Sequence, residues 1–395
     1  MSRTGKPRTS MPALKTILED LTIFQVRNST ILSGKRVVSV DALRGFDMFW
    51  IMGGDLAFKG LDNIFHCRIS GFIKTQMDHV DWFGFHFYDI IMPLFLFLVG
   101  VSMVYSYRKR LSQATSDRNI WKHTIQRVLI LWILGMVVQG NLLSYDIDKI
   151  HFYTNTLQAI AAGYLIATVF VLYLPVTYQI LATAGLLTVY WAIIALVPVG
   201  GNTLGAYDPD GNVAMFVEKS VMGRFIGWGS YTWIVSTLNF GATVMLGVFS
   251  GYMMQARVQP YRKFLNFLVY GLILVALGLI IDLWHPIIKK IWTSSFVLFS
   301  GGICVLLLGI FYLFIDVWGL RKGIRWLIIL GSNAIFGYVA WHLFGNNLVG
   351  MAEVLLKGLN QWIESWFDTL RYFGGFVFIY LLMWYMYRNK TFIKI

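Results

Sequence analysis

A chain of 395 residues that is 57% hydrophobic and 13% charged, with a mean hydropathy of +0.62, is far more apolar than a water-soluble domain. Its net charge of +13 gathers in short segments between apolar runs, which reads as attraction to anionic lipid and not as a nucleic-acid footprint. No Walker loop, dinucleotide fingerprint, HExxH or CxxC stands in a suitable context, which sets aside ATP-driven transport and the common metal chemistries.

A membrane-spanning helix needs about 20 mostly apolar residues. By that measure the sequence predicts ten spans, at 38–58, 84–107, 123–142, 155–174, 177–198, 233–256, 264–284, 293–315, 326–346 and 372–388. The expected fold is therefore all-α and polytopic. Residues 1–37 carry Arg3, Lys6, Arg8, Lys15, Arg27, Lys35 and Arg36 without a long apolar core, so they read as a basic cytoplasmic tail and not as a cleavable signal. Within that tail, 13–24 suits a surface helix and a loose tail equally well. Residues 38–395 read as one transmembrane domain. With the tail inside, the loops at 108–122, 257–263 and 321–325 and the segment from Arg388 fall on the cytoplasmic side, and each is basic. The opposite loops are poorer in Lys and Arg, although Lys289 and Lys290 dilute the rule. Residues 347–371, with Trp362 and Trp366, suit an interfacial helix near 351–370. Cys67 in a loop and Cys304 in a span are expected to be free thiols.

Ionisable groups inside a bilayer are costly enough to mark candidate sites. In the first span, Asp41, Arg44, Asp47 and Asp55 fall within an arc of about 120° on a straight helix, with Asp55 roughly 20 Å beyond Asp41. Asp41 and Arg44 also have the spacing of an i,i+3 ion pair. Gly53 and Gly54 make room beside Asp55 for either a packed helix or a ligand. In the next span Pro93 lacks an N–H, which predicts a bend and a freed carbonyl at Asp89, tolerated only where it faces protein or a wet cavity. His79 precedes that span and lies within reach of Asp55 across the first loop. Arg127 suits snorkelling to the surface. Asn155, Gln158, Asn239, Asp282, Asn333 and His342 at span ends read mostly as structural. The turn "YDPDGN" at 207–212 offers Asp208 to a polar substrate.

Two classes of function suit a polar track through a membrane: moving a solute, or bringing a donor on one side to an acceptor on the other. The blocks "RVVSVDALRGFDMFWIMGGD" (36–55), "DWFGFHFYDIIMPLFLFLVGVSM" (81–103), "LQAIAAGYL" (157–165), "YDPDGN" (207–212), "KKIWTSSFVLFSGGI" (289–303) and "GSNAIFGYV" (331–339) resemble the heparan-alpha-glucosaminide N-acetyltransferase family and its bacterial membrane relatives. The resemblance implies transfer of acetyl from cytoplasmic acetyl-CoA to the amine of a terminal glucosamine or glucosaminide on the far side of a bacterial inner membrane. It puts the catalytic histidine at His79. It puts Asp55 where the lysosomal branch carries an asparagine. Two departures, Ala159 for an arginine and Ile288 for an asparagine, imply a different acceptor preference.

Acyl transfer from a thioester to an amine needs a base, donors for the oxyanion and exclusion of water. His79 suits the base or a transient acetyl carrier. The candidates are then His79 and Asp55 for catalysis, Arg44, Asp41, Asp89 and Arg127 for the CoA donor, and Asp47, Trp82, Asp208 and Asn333 for the acceptor, with no metal and no nucleic acid. The lipid bilayer is the expected surrounding, and a homodimer is one candidate assembly. The competing readings are a membrane O-acyltransferase of a surface glycan and a secondary transporter of an amino sugar. The latter predicts repeat symmetry and paired broken helices, neither of which the sequence displays.

Overall fold

The computed structural model describes residues 37–112, 117–199, 205–227 and 229–393. The basic tail expected at 1–37, with its segment 13–24, lies outside the described residues apart from Val37. Every regular element among the described residues is helical. The principal helices are α1 (Val38–Phe49), α2 (Asp55–Lys59), α3 (Ile91–Ser112), α4 (Asp117–Val138), α5 (Thr156–Tyr173), α6 (Val176–Leu196), α7 (Val213–Met222), α8 (Thr237–Gln255), α9 (Pro260–Asp282), α10 (Ser294–Phe311), α11 (Arg325–Ser332), α12 (Ala334–Leu356) and α13 (Phe367–Arg388).

Local chemistry sets several of these ends. Asn155 accepts from the Leu157 N–H while Gln158 reaches back to the Asn155 N–H, a reciprocal cap that starts α5. Pro260 opens α9, where its missing N–H is harmless. The Thr293 hydroxyl caps α10.

Six helices among the described residues are long and apolar enough to cross a membrane, or up to seven if the pair Arg325–Ser332 and Ala334–Arg388, bent by 79°, counts as one. The chain is thus a polytopic membrane protein, but not with ten unbroken spans. The expected spans at 84–107, 123–142, 155–174, 177–198, 264–284 and 293–315 each correspond to one of the six. The other four regions are helical without meeting that standard, and in two of them the helix is interrupted. The first is interrupted at Trp50–Gly54, where Met52 (φ −94°, ψ 35°) and Gly53 (φ 96°, ψ 3°) leave helical geometry. The ninth breaks at Asn333 (φ −130°, ψ 40°), whose side chain bonds the Thr391 carbonyl and the Ile393 N–H. Residues 347–371 form no single interfacial helix: they comprise the end of α12, three short helical turns and the start of α13. Trp362 and Trp366 are nevertheless exposed.

Pro93 also differs from expectation. A 3₁₀ turn over Phe87–Ile90 precedes α3, so Pro93 sits in the first turn, where N–H groups lack helical partners anyway. It marks a helix start and not a bend in mid-span.

α8 runs through the middle of the bundle against α3, α5, α6 and α10. Gly247 lies on the Phe97 carbonyl of α3 and Gly100 on the Val244 carbonyl of α8, so the two backbones touch and a Cβ at either position would overlap the other chain. Close approach through small residues is how helices associate without a hydrophobic driving force. The same device joins α1 to α11, where Gly45 meets Leu327 and Gly331 meets the Asp41 carbonyl.

At one end of the bundle four connecting segments are tied together. The Trp82 indole N–H donates to the Tyr207 carbonyl at 2.7 Å, and the Gly84 N–H donates to the Ile287 carbonyl at 2.9 Å. The Thr232 N–H donates to the Lys290 carbonyl at 3.0 Å. His285 is fully buried: its Nε2 accepts from the Ser294 N–H at 3.0 Å, which leaves the proton on Nδ1, 2.6 Å from the Tyr207 hydroxyl. Burial holds its pKa at about 4, so this neutral tautomer persists at physiological pH. These bonds fix the loop that carries Lys289.

Candidate active site

The break at Trp50–Gly54 decides where Asp55 points. On a straight helix it would continue the stripe begun by Asp41, Arg44 and Asp47, but the stripe ends at Phe49 and Asp55 opens a new helix, α2. Gly53 suits its position twice over: its positive φ is costly for other residues, and a Cβ there would collide with the Trp341 ring. Of the two uses expected for the glycine pair, close packing is the one Gly53 serves. Asp55 and Trp341 thereby come to line a cavity of about 750 Å³.

His79 stands in the same cavity, on the loop before the 3₁₀ turn. Its Nδ1 is 2.8 Å from Asp89 Oδ1. Asp89 is fully buried, and its other oxygen accepts from the backbone N–H groups of Val80 (3.3 Å) and His86 (2.9 Å). An ionised carboxylate only accepts, so this contact requires the proton on Nδ1 and leaves Nε2 with a free lone pair. Burial, together with the nearby charge of Lys289, lowers the His79 pKa below its ordinary 6.5 despite the opposing effect of Asp89. The group is an oriented neutral imidazole, the form a general base needs.

Lys289 arrives from the loop between α9 and α10, 210 residues away in sequence. Its Nζ lies 2.8 Å from His79 Nδ1, 3.4 Å from Nε2 and 3.2 Å from Asp89 Oδ1. Since Nδ1 donates to Asp89, the lysine's stabilising partner is the carboxylate. It is buried, which brings its pKa down to about 8 against the restraining charge of Asp89. On the other flank Tyr88 packs on the His79 ring with centroids 4.9 Å apart, and its side chain faces Asp55. Lys59 is 2.7 Å from Asp78 and 3.9 Å from Asp55. The far wall carries Trp341, Tyr338 and Asn346 from α12 and Tyr231 and Trp233 from the segment before α8.

The remaining sequence candidates lie elsewhere. Arg44 contacts Asp41 at 3.4 Å, so the i,i+3 pair exists, and it donates to the Ser102 hydroxyl at 2.6 Å and toward the Gly331 carbonyl at 3.5 Å. It thus links α1, α3 and α11. The Arg127 guanidinium lies over the Tyr164 ring, 4.5 Å from its centroid. Asp47 is buried in α1 with neither carboxyl oxygen hydrogen-bonded, and it does not line the cavity. Trp82 is buried against Ile288 and Ile291, where it supports the Lys289 loop. Asp208 is exposed in its turn, and its carbonyl receives the Asn212 amide. Asn333 ties the C-terminal segment to the break between α11 and α12. Cys67 and Cys304 are free.

The sequence assigns no site role to Lys289, Tyr88 or the aromatic wall, although Lys289 opens the block at 289–303 and Tyr88 lies in the block at 81–103. Lys289 did leave a trace, as a lysine that breaks the charge asymmetry of the loops.

A family model described as heparan-alpha-glucosaminide N-acetyltransferase, catalytic, matches residues 36–205, a stretch that takes in Asp55, His79, Trp82 and Asp89. Lys289 lies beyond it. No curated protein matches the chain. Over residues 36–205 the chain is thus similar to the heparan-alpha-glucosaminide N-acetyltransferase catalytic family.

Proposed function

We propose that the protein moves acetyl from acetyl-CoA, supplied on the cytoplasmic face of a bacterial inner membrane, to the amine of a glucosamine-type sugar on the opposite face. The observation that carries this reading is the Asp89–His79 pair, 2.8 Å apart, on a cavity of about 750 Å³ inside a membrane-spanning helical protein. A cavity lined by indole and phenol rings, amides and two imidazoles, with Asp55 as its carboxyl and Lys289 as its ammonium, suits a neutral-bodied sugar with a basic amine better than an inorganic ion.

In this mechanism the sugar stacks on the aromatic wall, with its amine between Asp55 and His79. Asp55 attracts the ammonium form that predominates in water and orients it, and the amine reacts once it has shed that proton. The neutral amine attacks the thioester carbonyl while His79 Nε2 removes its remaining excess proton. Asp89 steadies the imidazolium that forms, as the acid of a Ser-His-Asp triad does. Collapse breaks the C–S bond, and the imidazolium returns its proton to the departing CoA sulfur. Asp89, expected along the donor's passage, acts here through His79. Ten crossings with a cytoplasmic N-terminus, one transmembrane domain over 38–395 and CoA phosphates held at the basic loops complete the proposal.

Purified protein with radiolabelled acetyl-CoA and glucosamine tests it. The expected result is labelled N-acetylglucosamine, with production abolished in His79→Ala. A solute carrier would bind the sugar and leave acetyl-CoA intact, and an O-acyltransferase would give an alkali-labile ester. Either outcome overturns the reading.

A further inference from the structure

Lys289 is, among the described residues, the one lysine or arginine that lines the cavity. Its position is costly: a side chain 6% exposed has given up most of its water. Asp89 compensates it, but an ammonium carries three hydrogens and Asp89 Oδ1 takes one. The loop that holds it is fixed on both sides, through Ile287 to Gly84 and through Lys290 to Thr232. A lysine serving only to neutralise Asp89 would need no place on the cavity wall.

Nζ lies 2.8 Å from Nδ1 and 3.4 Å from Nε2, distances that only a position over the face of the ring satisfies without a clash against Cε1. A carbonyl oxygen on that side of the ring, on an acetyl group attacked by an amine bonded to Nε2, falls within reach of the ammonium.

We propose that Lys289 is a catalytic residue whose ammonium donates a hydrogen bond to the acetyl carbonyl oxygen and holds the negative charge that develops there, an inference that rests on the acetyl-transfer reading above. The charges balance at each stage. At rest Asp89 and Lys289 cancel around a neutral imidazole. As the C–N bond forms, the carbonyl π electrons move onto oxygen beside Lys289 while the amine proton moves to His79 Nε2, so one negative and one positive charge appear together. When the C–S bond breaks, the oxygen re-forms its carbonyl and the sulfur takes the proton from His79. No further reactant is required. The ammonium also discourages early protonation of His79, keeping the base free until the amine arrives. The charged and titratable groups facing Lys289 are Asp89, His79 and Lys290, with Tyr231 nearby.

The test measures kcat and KM for both substrates over roughly pH 6 to 10 with full-length wild type, Lys289→Met and Lys289→Arg. Loss of one oxyanion donor lowers turnover by about 10² to 10³-fold, so Lys289→Met should lose that much kcat while the acetyl-CoA KM moves by less than about threefold. A guanidinium stays charged at all these pH values. Lys289→Arg should therefore recover at least about tenfold of the lost kcat and move the alkaline limb, expected in wild type where the Lys289 ammonium titrates, at about 8, to higher pH. Wild-type kcat in Lys289→Met overturns the inference, as does a Lys289→Arg profile with an unmoved alkaline limb. Should Lys289→Met fail to fold, the arginine profile decides alone. Transfer by wild type together with an active Lys289→Met sinks this inference and spares the proposed function; absence of transfer by wild type sinks both.

Discussion

The His79 imidazole is useful as a base only if Nε2 faces the substrate unprotonated, and Asp89 secures this by holding the proton on Nδ1. His79→Ala should lower turnover by at least about 10²-fold, the ordinary contribution of a positioned base. Binding of CoA, measured by calorimetry, should change little, because the proposed mechanism holds the nucleotide at the basic loops and not at His79. Asp89→Asn keeps the volume but offers Nδ1 an amide that can present N–H, which favours the wrong tautomer. It should cost about as much activity as His79→Ala while sparing the substrate KM values. Because the His79 pKa lies below 6.5, the base form predominates down to lower pH than for an ordinary histidine. The acid limb of kcat/KM should therefore fall below pH 6.5, with activity lost as the pH drops through it. A limb at or above 6.5 would mean that another group titrates. That His79 and Asp55 deserve notice is legible in the sequence, since Asp55 ends one recognisable block and His79 stands just before the next, and both line the cavity. The role of Lys289 is not, because its meaning comes from a contact across 210 residues that no local pattern encodes.

Apolar runs between basic loops located six spans, since length and hydropathy alone define an uninterrupted crossing. They misjudged the places where backbone geometry departs from a straight helix. The 100° periodicity joined Asp55 to Asp41 because nothing in "WIMGGD" forces a break until Trp341, from far along the chain, takes the space beside Gly53. Pro93 reads as a bend because the sequence does not tell where α3 starts. Gly53→Ala should lose stability through both the positive φ, which costs about 1–2 kcal/mol, and the overlap with Trp341. It should lower activity as well by shifting Asp55. Gly247→Leu separates α3 from α8 and should lower the melting temperature in detergent, with a cost of at least the ~1–3 kcal/mol typical of overpacking. An unchanged melting temperature for Gly247→Leu would mean that α3 and α8 do not meet at these backbones.

At the scale of the whole molecule, the aromatic and polar cavity opens at the end of the bundle that carries residues 60–86, 205–212 and 283–293. The basic loops at 257–263 and 321–325 follow an odd number of expected crossings from that end and so belong to the other face. A donor entering by the basic face and an acceptor entering by the cavity would meet at His79. The most direct test uses proteoliposomes of known orientation, with radiolabelled acetyl-CoA on the face that carries the N-terminus and a membrane-impermeant glucosaminide on the other. The account predicts acetylated sugar on the side opposite the nucleotide, absent in His79→Ala vesicles. Product that forms only when both substrates share one face would contradict transfer across the membrane.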